Sequence, residues 1–189
     1  MTGAFRFAAF AVMGLGLVGC QQTTHQVMDG YKILQNSMPD TATVYLACQA
    51  KQGCDFERID NVLVIDEKTK RPSNEAIEQG LVRIEGSVFS WQHEYAVSLP
   101  VGDHEIAVRF YPVSVERAER FHLIHKFEPN HQYQLHMYRQ RDQQDQSLLA
   151  VAAPSKLCID LLQDDIPLRR FCRSSEIGKG LNDFVEQSI

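Results

Sequence analysis

Hydrophobic and polar positions alternate most clearly over residues 91–112. Tyr95, Val97 and Leu99 fall on one face at a period of two, with Glu94, Ala96 and Ser98 on the other. Ile106, Val108 and Phe110 then alternate with Glu105, Ala107 and Arg109. Pro100-Val101-Gly102-Asp103 lies between the two runs. Proline fixes φ there and glycine reaches φ > 0, which is turn chemistry. The pattern predicts two half-buried antiparallel strands joined as a hairpin.

The same reading predicts further strands at 41–48, 56–66, 81–85, 88–90, 121–127, 131–138, 147–153 and 156–162. Phe121, Leu123, His125 and Phe127 share one face, and Tyr133, Leu135 and Met137 point inward on the next strand. Residues 75–80 form one helical turn capped by Asn74 or Ser73. Leu181, Phe184 and Val185 put a short helix at the carboxyl end, from Asn182. Gly178 and Gly180 weaken any longer one. Many short strands at intervals of roughly 8 to 12 residues make the chain mainly β, an antiparallel sandwich with a short C-terminal helix.

The start of the chain sets the compartment. Residues 1–20 contain one charged side chain, Arg6, and residues 7–19 contain none. Such a run is too short to span a bilayer, which takes roughly 20 residues, but it fits a secretory signal. It ends in Leu17-Val18-Gly19-Cys20. This resembles the bacterial lipobox. The resemblance implies cleavage before Cys20, diacylglycerol on its sulfur and an acyl group on the new amino terminus. Several acyl chains anchor a protein where one binds only marginally. Gln21 and Gln22 follow, with no aspartate after the cysteine. That is similar to the outer-membrane sorting pattern.

The expected organisation is a signal peptide at 1–19, a lipidated flexible tether at 20–40 and a single domain at 41–189. Within the tether, Val27, Tyr31, Ile33 and Leu34 could form a short helical turn or dock. Removing Arg6 with the signal shifts the formal charge from -5 to -6. An acidic chain of this kind is a poor partner for nucleic acid or anionic headgroups.

With Cys20 lipidated, Cys48, Cys54, Cys158 and Cys172 remain. An even number in an exported chain implies disulfides. Three pairings exist. Cys48–Cys54 and Cys158–Cys172 are preferred, because each encloses a turn-rich loop. A cross-pairing between the amino-terminal strand and the carboxy-terminal segment is the rival. A zinc site is disfavoured, since there is no C-x-x-C pair.

Over 81–139 the run Leu99-Pro100-Val101-Gly102-Asp103-His104, then Ile106-Ala107-Val108-Arg109, precedes Phe127-Glu128-Pro129-Asn130-His131-Gln132-Tyr133-Gln134-Leu135. This resembles periplasmic β-sandwich modules of the PEGA, immunoglobulin-like or transthyretin-like kind, although the Pro-Glu-Gly-Ala run itself is absent. The resemblance implies a noncatalytic envelope domain that contacts cell wall or another protein.

Candidate chemistry is sparse. The serines lie outside any Gly-x-Ser-x-Gly elbow and no phosphate-cradling glycine loop occurs. Metal binding would need histidines from different strands, for example His93, His122 and His136. His125 shares the parity of the core and reads as a hydrogen-bonded core histidine. The arginines Arg117, Arg120, Arg139 and Arg141 could clamp carboxylates of a peptide or of peptidoglycan. Arg169, Arg170 and Arg173 belong to the same set. Trp91 is a candidate partner anchor. The expectation is a noncatalytic outer-membrane lipoprotein. It holds no cofactor, is anchored by lipid, faces the periplasm and serves as a binding or accessory subunit beside an envelope protein. The alternatives are a metal-binding protein or enzyme using the strand histidines, and a carrier of a small ligand or peptidoglycan.

Overall fold

The structure, a computed structural model, describes residues 20–39, 43–85, 94–140, 155–173 and 183–189. Trp91, His93 and Arg141, and the strands expected at 88–90 and 147–153, lie outside the described residues.

The chain is mainly β. Its elements are α1 (Cys20–Asn36), β1 (Thr43–Gln49), β2 (Cys54–Ile59), β3 (Val62–Leu63), α2 (Asn74–Glu78), β4 (Val82–Glu85), β5 (Glu94–Pro100), β6 (Gly102–Phe110), β7 (Glu119–Phe127), β8 (Gln132–Gln140), β9 (Lys156–Gln163), β10 (Ile166–Arg173) and β11 (Val185–Gln187). One sheet runs β11-β10-β9-β8-β1-β5-β4 and the other β3-β2-β6-β7. Leu46, Val97, Leu135 and Ile159 from the first sheet and Phe56, Ile106, Phe110 and Phe127 from the second form one shared core. The β7 parity is as expected: Phe121, Leu123 and Phe127 are buried while Arg120, His122, Ile124 and Lys126 are exposed.

The expected hairpin over 91–112 is corrected. β5 pairs with β1 and β4, whereas β6 pairs with β2 and β7. The chain changes sheets at Val101. One residue between strands is too few for a two-residue hairpin turn. Gly102 takes φ 136°, open to glycine but strained for other residues, and turns the corner. His104 secures it, with Nδ1 2.8 Å from Asp60 Oδ2 and Nε2 2.9 Å from the Pro100 carbonyl. Residues on the expected outward faces are covered too, by groups that lie over the sheets. Ala96, Ser98 and Arg109 are all buried. Ser98 lies under Arg83, whose guanidinium donates to its hydroxyl.

Three other expectations change. The sandwich was expected to be wholly antiparallel, but β1 pairs β8 in parallel, Tyr45 opposite Gln132 through Gln49 opposite His136. The strand expected at 56–66 is broken at Asp60, whose φ of 50° starts the turn into β3. The C-terminal helix is instead the edge strand β11, paired antiparallel to β10. Unpaired backbone along β10 outweighs the weak helical spacing. Arg169 adds two hydrogen bonds to Glu186 at 2.7 and 2.8 Å, and Phe184 packs on Phe121.

The expected flexible tether is helical. α1 buries Ile33 and Asp29, and Asp29 accepts from Arg71, so its second half is part of the domain. Ile33 is the one of the four apolar candidates that docks; Val27, Tyr31 and Leu34 stay exposed. α2 forms as expected, with the Ser73 hydroxyl capping the Ala76 amide.

Both disulfides follow the local pairing, Cys48–Cys54 and Cys158–Cys172. The first joins β1 to β2 and thus one sheet to the other. The second joins residues directly opposite on β9 and β10, with Cα atoms 4.2 Å apart. Asp164 and Asp165, at φ 49° and 65°, make the two-residue turn between those strands.

Candidate functional site

Most of the arginines are engaged by nearby acids. On the outward face of the smaller sheet Arg109 and Arg120 stand directly opposite each other. Like charges in that register repel, and two carboxylates offset them. Arg120 donates to Glu57 at 3.0 Å and Glu67 at 2.8 Å. Arg109, only 1 % exposed, donates from Nη2 to the Ile65 carbonyl at 2.6 Å. Beside them Tyr111 donates to Asp55 at 2.8 Å, and Lys70 bonds the same carboxylate at 2.8 Å. On the larger sheet Arg170 forms a two-pronged pair with Asp160, at 2.8 and 2.7 Å, which holds its guanidinium strongly protonated. Arg173 pairs with Glu119 at 2.9 Å. Arg117 is exposed on the turn after β6. These sets balance charge within the fold.

The histidines do not converge. His122 faces outward from β7 and His136 outward from β8, in different sheets. Among the described residues no group of three or more His, Cys, Asp or Glu side chains is placed to hold a metal. His125 is half-buried, packed edge-on against Phe127 and Tyr133. Its Nε2 is buried without a hydrogen-bond partner, which corrects the hydrogen-bonded core histidine expected there. Burial, with Arg169 nearby, pushes its pKa down.

A concave site lies beside β8. The pairing of β1 with β8 ends at Gln49 opposite His136, yet β8 continues to Gln140 against β9. The chain leaves because Cys48 is tied to Cys54, and Gln52 and Gly53 exchange hydrogen bonds with Tyr111 at 3.0 Å. A cavity of about 640 Å³ fills the notch. Its walls are Gln49, Ala50 and Lys51, then Pro112 and Val113, then His136 to Arg139 of β8 with Leu157 below. Met137 and Tyr138 point to opposite faces of β8 and still line the same space. The cavity therefore runs along the edge of that strand rather than over a face.

Of the residues singled out in the sequence, His136 and Arg139 are brought to this cavity, Arg139 with its Nη1 3.2 Å from the Ser155 carbonyl. Arg117 and Arg120 lie elsewhere. Sequence reasoning missed Lys51, Pro112 and Val113. The available signal was the glycine-containing loop between Cys48 and Cys54, which shows that β1 must stop, although not which strand is left open. Compared with known protein families, curated proteins and solved structures, the chain matches none.

Proposed function

We propose that this chain is a noncatalytic lipoprotein of the outer membrane. Its two-sheet domain, a sandwich of the immunoglobulin, transthyretin or PEGA-like kind, faces the periplasm as a binding or accessory subunit of an envelope assembly.

The observation that carries the reading is the relation of Cys20 to α1. The lipobox cysteine is the first residue of a helix whose later turns are held in the domain by Ile33 and Asp29. At about 1.5 Å per residue, Asp29 sits on the order of 14 Å along the helix from the acylated end. A short helical stalk of this kind would hold the domain near the bilayer at limited range. Two local disulfides suit an oxidising compartment.

Metabolic labelling with a palmitate analogue tests the anchor. Wild-type protein should incorporate label and fractionate with outer membrane, and Cys20→Ala should do neither. A Cys20→Ala protein that still carried label or sedimented with outer membrane would overturn the reading. Cross-linking of the intact protein in cells should then return a small set of stoichiometric envelope proteins.

A further inference from the structure

We infer that the cavity beside β8 is a binding site for an extended peptide, which adds a strand to the free edge of β8 and delivers a carboxylate to Lys51 and Arg139. The inference rests on the binding-subunit part of the proposed function and is independent of the lipid anchor.

The edge comes first. From Met137 to Gln140, β8 is paired on its β9 side, Met137 opposite Ile159 through Gln140 opposite Lys156. On the β1 side the register stops at His136. Backbone amides and carbonyls on that side therefore have no strand partner among the described residues. Four residues of strand span about 13 Å, room for a segment of similar length. An exposed edge of this kind is the template for strand addition, where main-chain hydrogen bonds give affinity and pockets for alternate side chains give selectivity.

The walls supply those pockets. Met137 and Leu157 lie on the core side and His136 and Tyr138 on the outward side, so alternate side chains of an added strand meet different surroundings. Pro112 and Val113, in the loop after β6, close the cavity from the other side. A volume of about 640 Å³ is in the range of specific ligand sites.

The charge selects the ligand. Lys51 and Arg139 line the cavity and no carboxylate does, among the described residues. This contrasts with Arg120, Arg170 and Arg173, where acids from the same chain already neutralise the guanidinium. Arg139 uses Nη1 on the Ser155 carbonyl, and a guanidinium has five N–H donors. Complementarity therefore calls for a carboxylate, and the peptide's own carboxyl terminus supplies it.

The test uses the acylated full chain in detergent micelles and an array of random pentapeptides with free carboxyl termini, each printed beside its amide. We expect hits with extended, β-branched sequences and at least tenfold weaker binding of the amides, measured by fluorescence anisotropy. N-methylation at alternate peptide nitrogens should abolish binding, as strand addition requires. Lys51→Gln with Arg139→Gln should weaken binding at least tenfold with an unchanged melting curve. Val113→Trp, which fills the cavity, should remove it. An array with no hits overturns the inference, as does binding unaffected by Val113→Trp or equal for acids and amides. None of these results alters palmitate labelling or fractionation, so the two readings fail separately.

Discussion

Arg71 holds Asp29 with two donors on one carboxylate oxygen, Nε at 2.8 Å and Nη2 at 2.6 Å. Asp29 is buried, and Arg71 is the ion-pair partner that offsets its lost hydration. Hydrogen bonds to charged groups contribute roughly 1.5–3 kcal/mol. Asp29→Ala should lower stability by about that much in urea denaturation. It should also expose α1 to limited proteolysis ahead of the β-strands. Equal protease resistance of α1 in variant and wild type would show that Ile33 alone suffices to dock it.

The two disulfides should differ in what they protect. Loop-closure arguments give each roughly 2–3 kcal/mol, since both loops are short. Cys158→Ala/Cys172→Ala should cost stability alone. Cys48→Ala/Cys54→Ala should cost a similar amount and also weaken peptide binding, because Lys51 sits on the loop it closes. Denaturation midpoints and anisotropy on both double variants check this.

Arg109 and Arg120 share the same carboxylates but not the same burial. An exposed ion pair contributes roughly 0–1 kcal/mol, whereas breaking a buried one costs about 3–5 kcal/mol. Arg120→Ala should be nearly neutral and Arg109→Ala severe, with the Ile65 carbonyl left unpaired. Similar urea midpoints for the two variants would refute a structural role for the buried guanidinium.

Acid should act on this fold in two windows. His125 has its folded pKa pushed down by burial and by Arg169, from an unfolded value of roughly 6.5. As pH falls below that value the unfolded chain takes up a proton first, so stability declines until the folded pKa is reached. His125→Leu should flatten this slope in equilibrium denaturation at pH 7 to 5. Burial pushes the Asp60 pKa up, but its bonds to His104 and to the Glu105 amide outweigh it, and the net direction is down. Its contribution should be present above roughly pH 4 and be lost as pH falls further. Asp60→Asn should remove that second decline.

Local features were legible in the residues. The period-two alternation located most strands, Ser73 marked the α2 cap, and the loop chemistry between cysteines pointed to the pairing observed. Sheet membership was not, because Pro100-Val101-Gly102 reads alike whether the chain reverses or turns a corner. Arg109 looked like a solvent-facing residue, since alternation cannot show that the 66–71 loop comes to lie beside it. Asp29 was hidden in a polar stretch, and its docking depends on Arg71, distant in the chain. The cavity was illegible for the same reason. It is bounded by where β1 stops and where β8 continues, and only the register between them reveals it.

The parallel ladder of β1 on β8 also fixes an order of events in folding. Tyr45 cannot find Gln132 until everything between them has been made, and drawing such a loop closed costs on the order of 4 kcal/mol of chain entropy. Long-range pairing of this kind slows folding. Until β8 arrives, β1 can rest on β5 alone, with its second edge bare. A chain in which β1 has met β5 but not β8 has an unsatisfied strand at its centre, open to any neighbouring chain. Its safe assembly depends on dilution or escort as much as on its finished contacts.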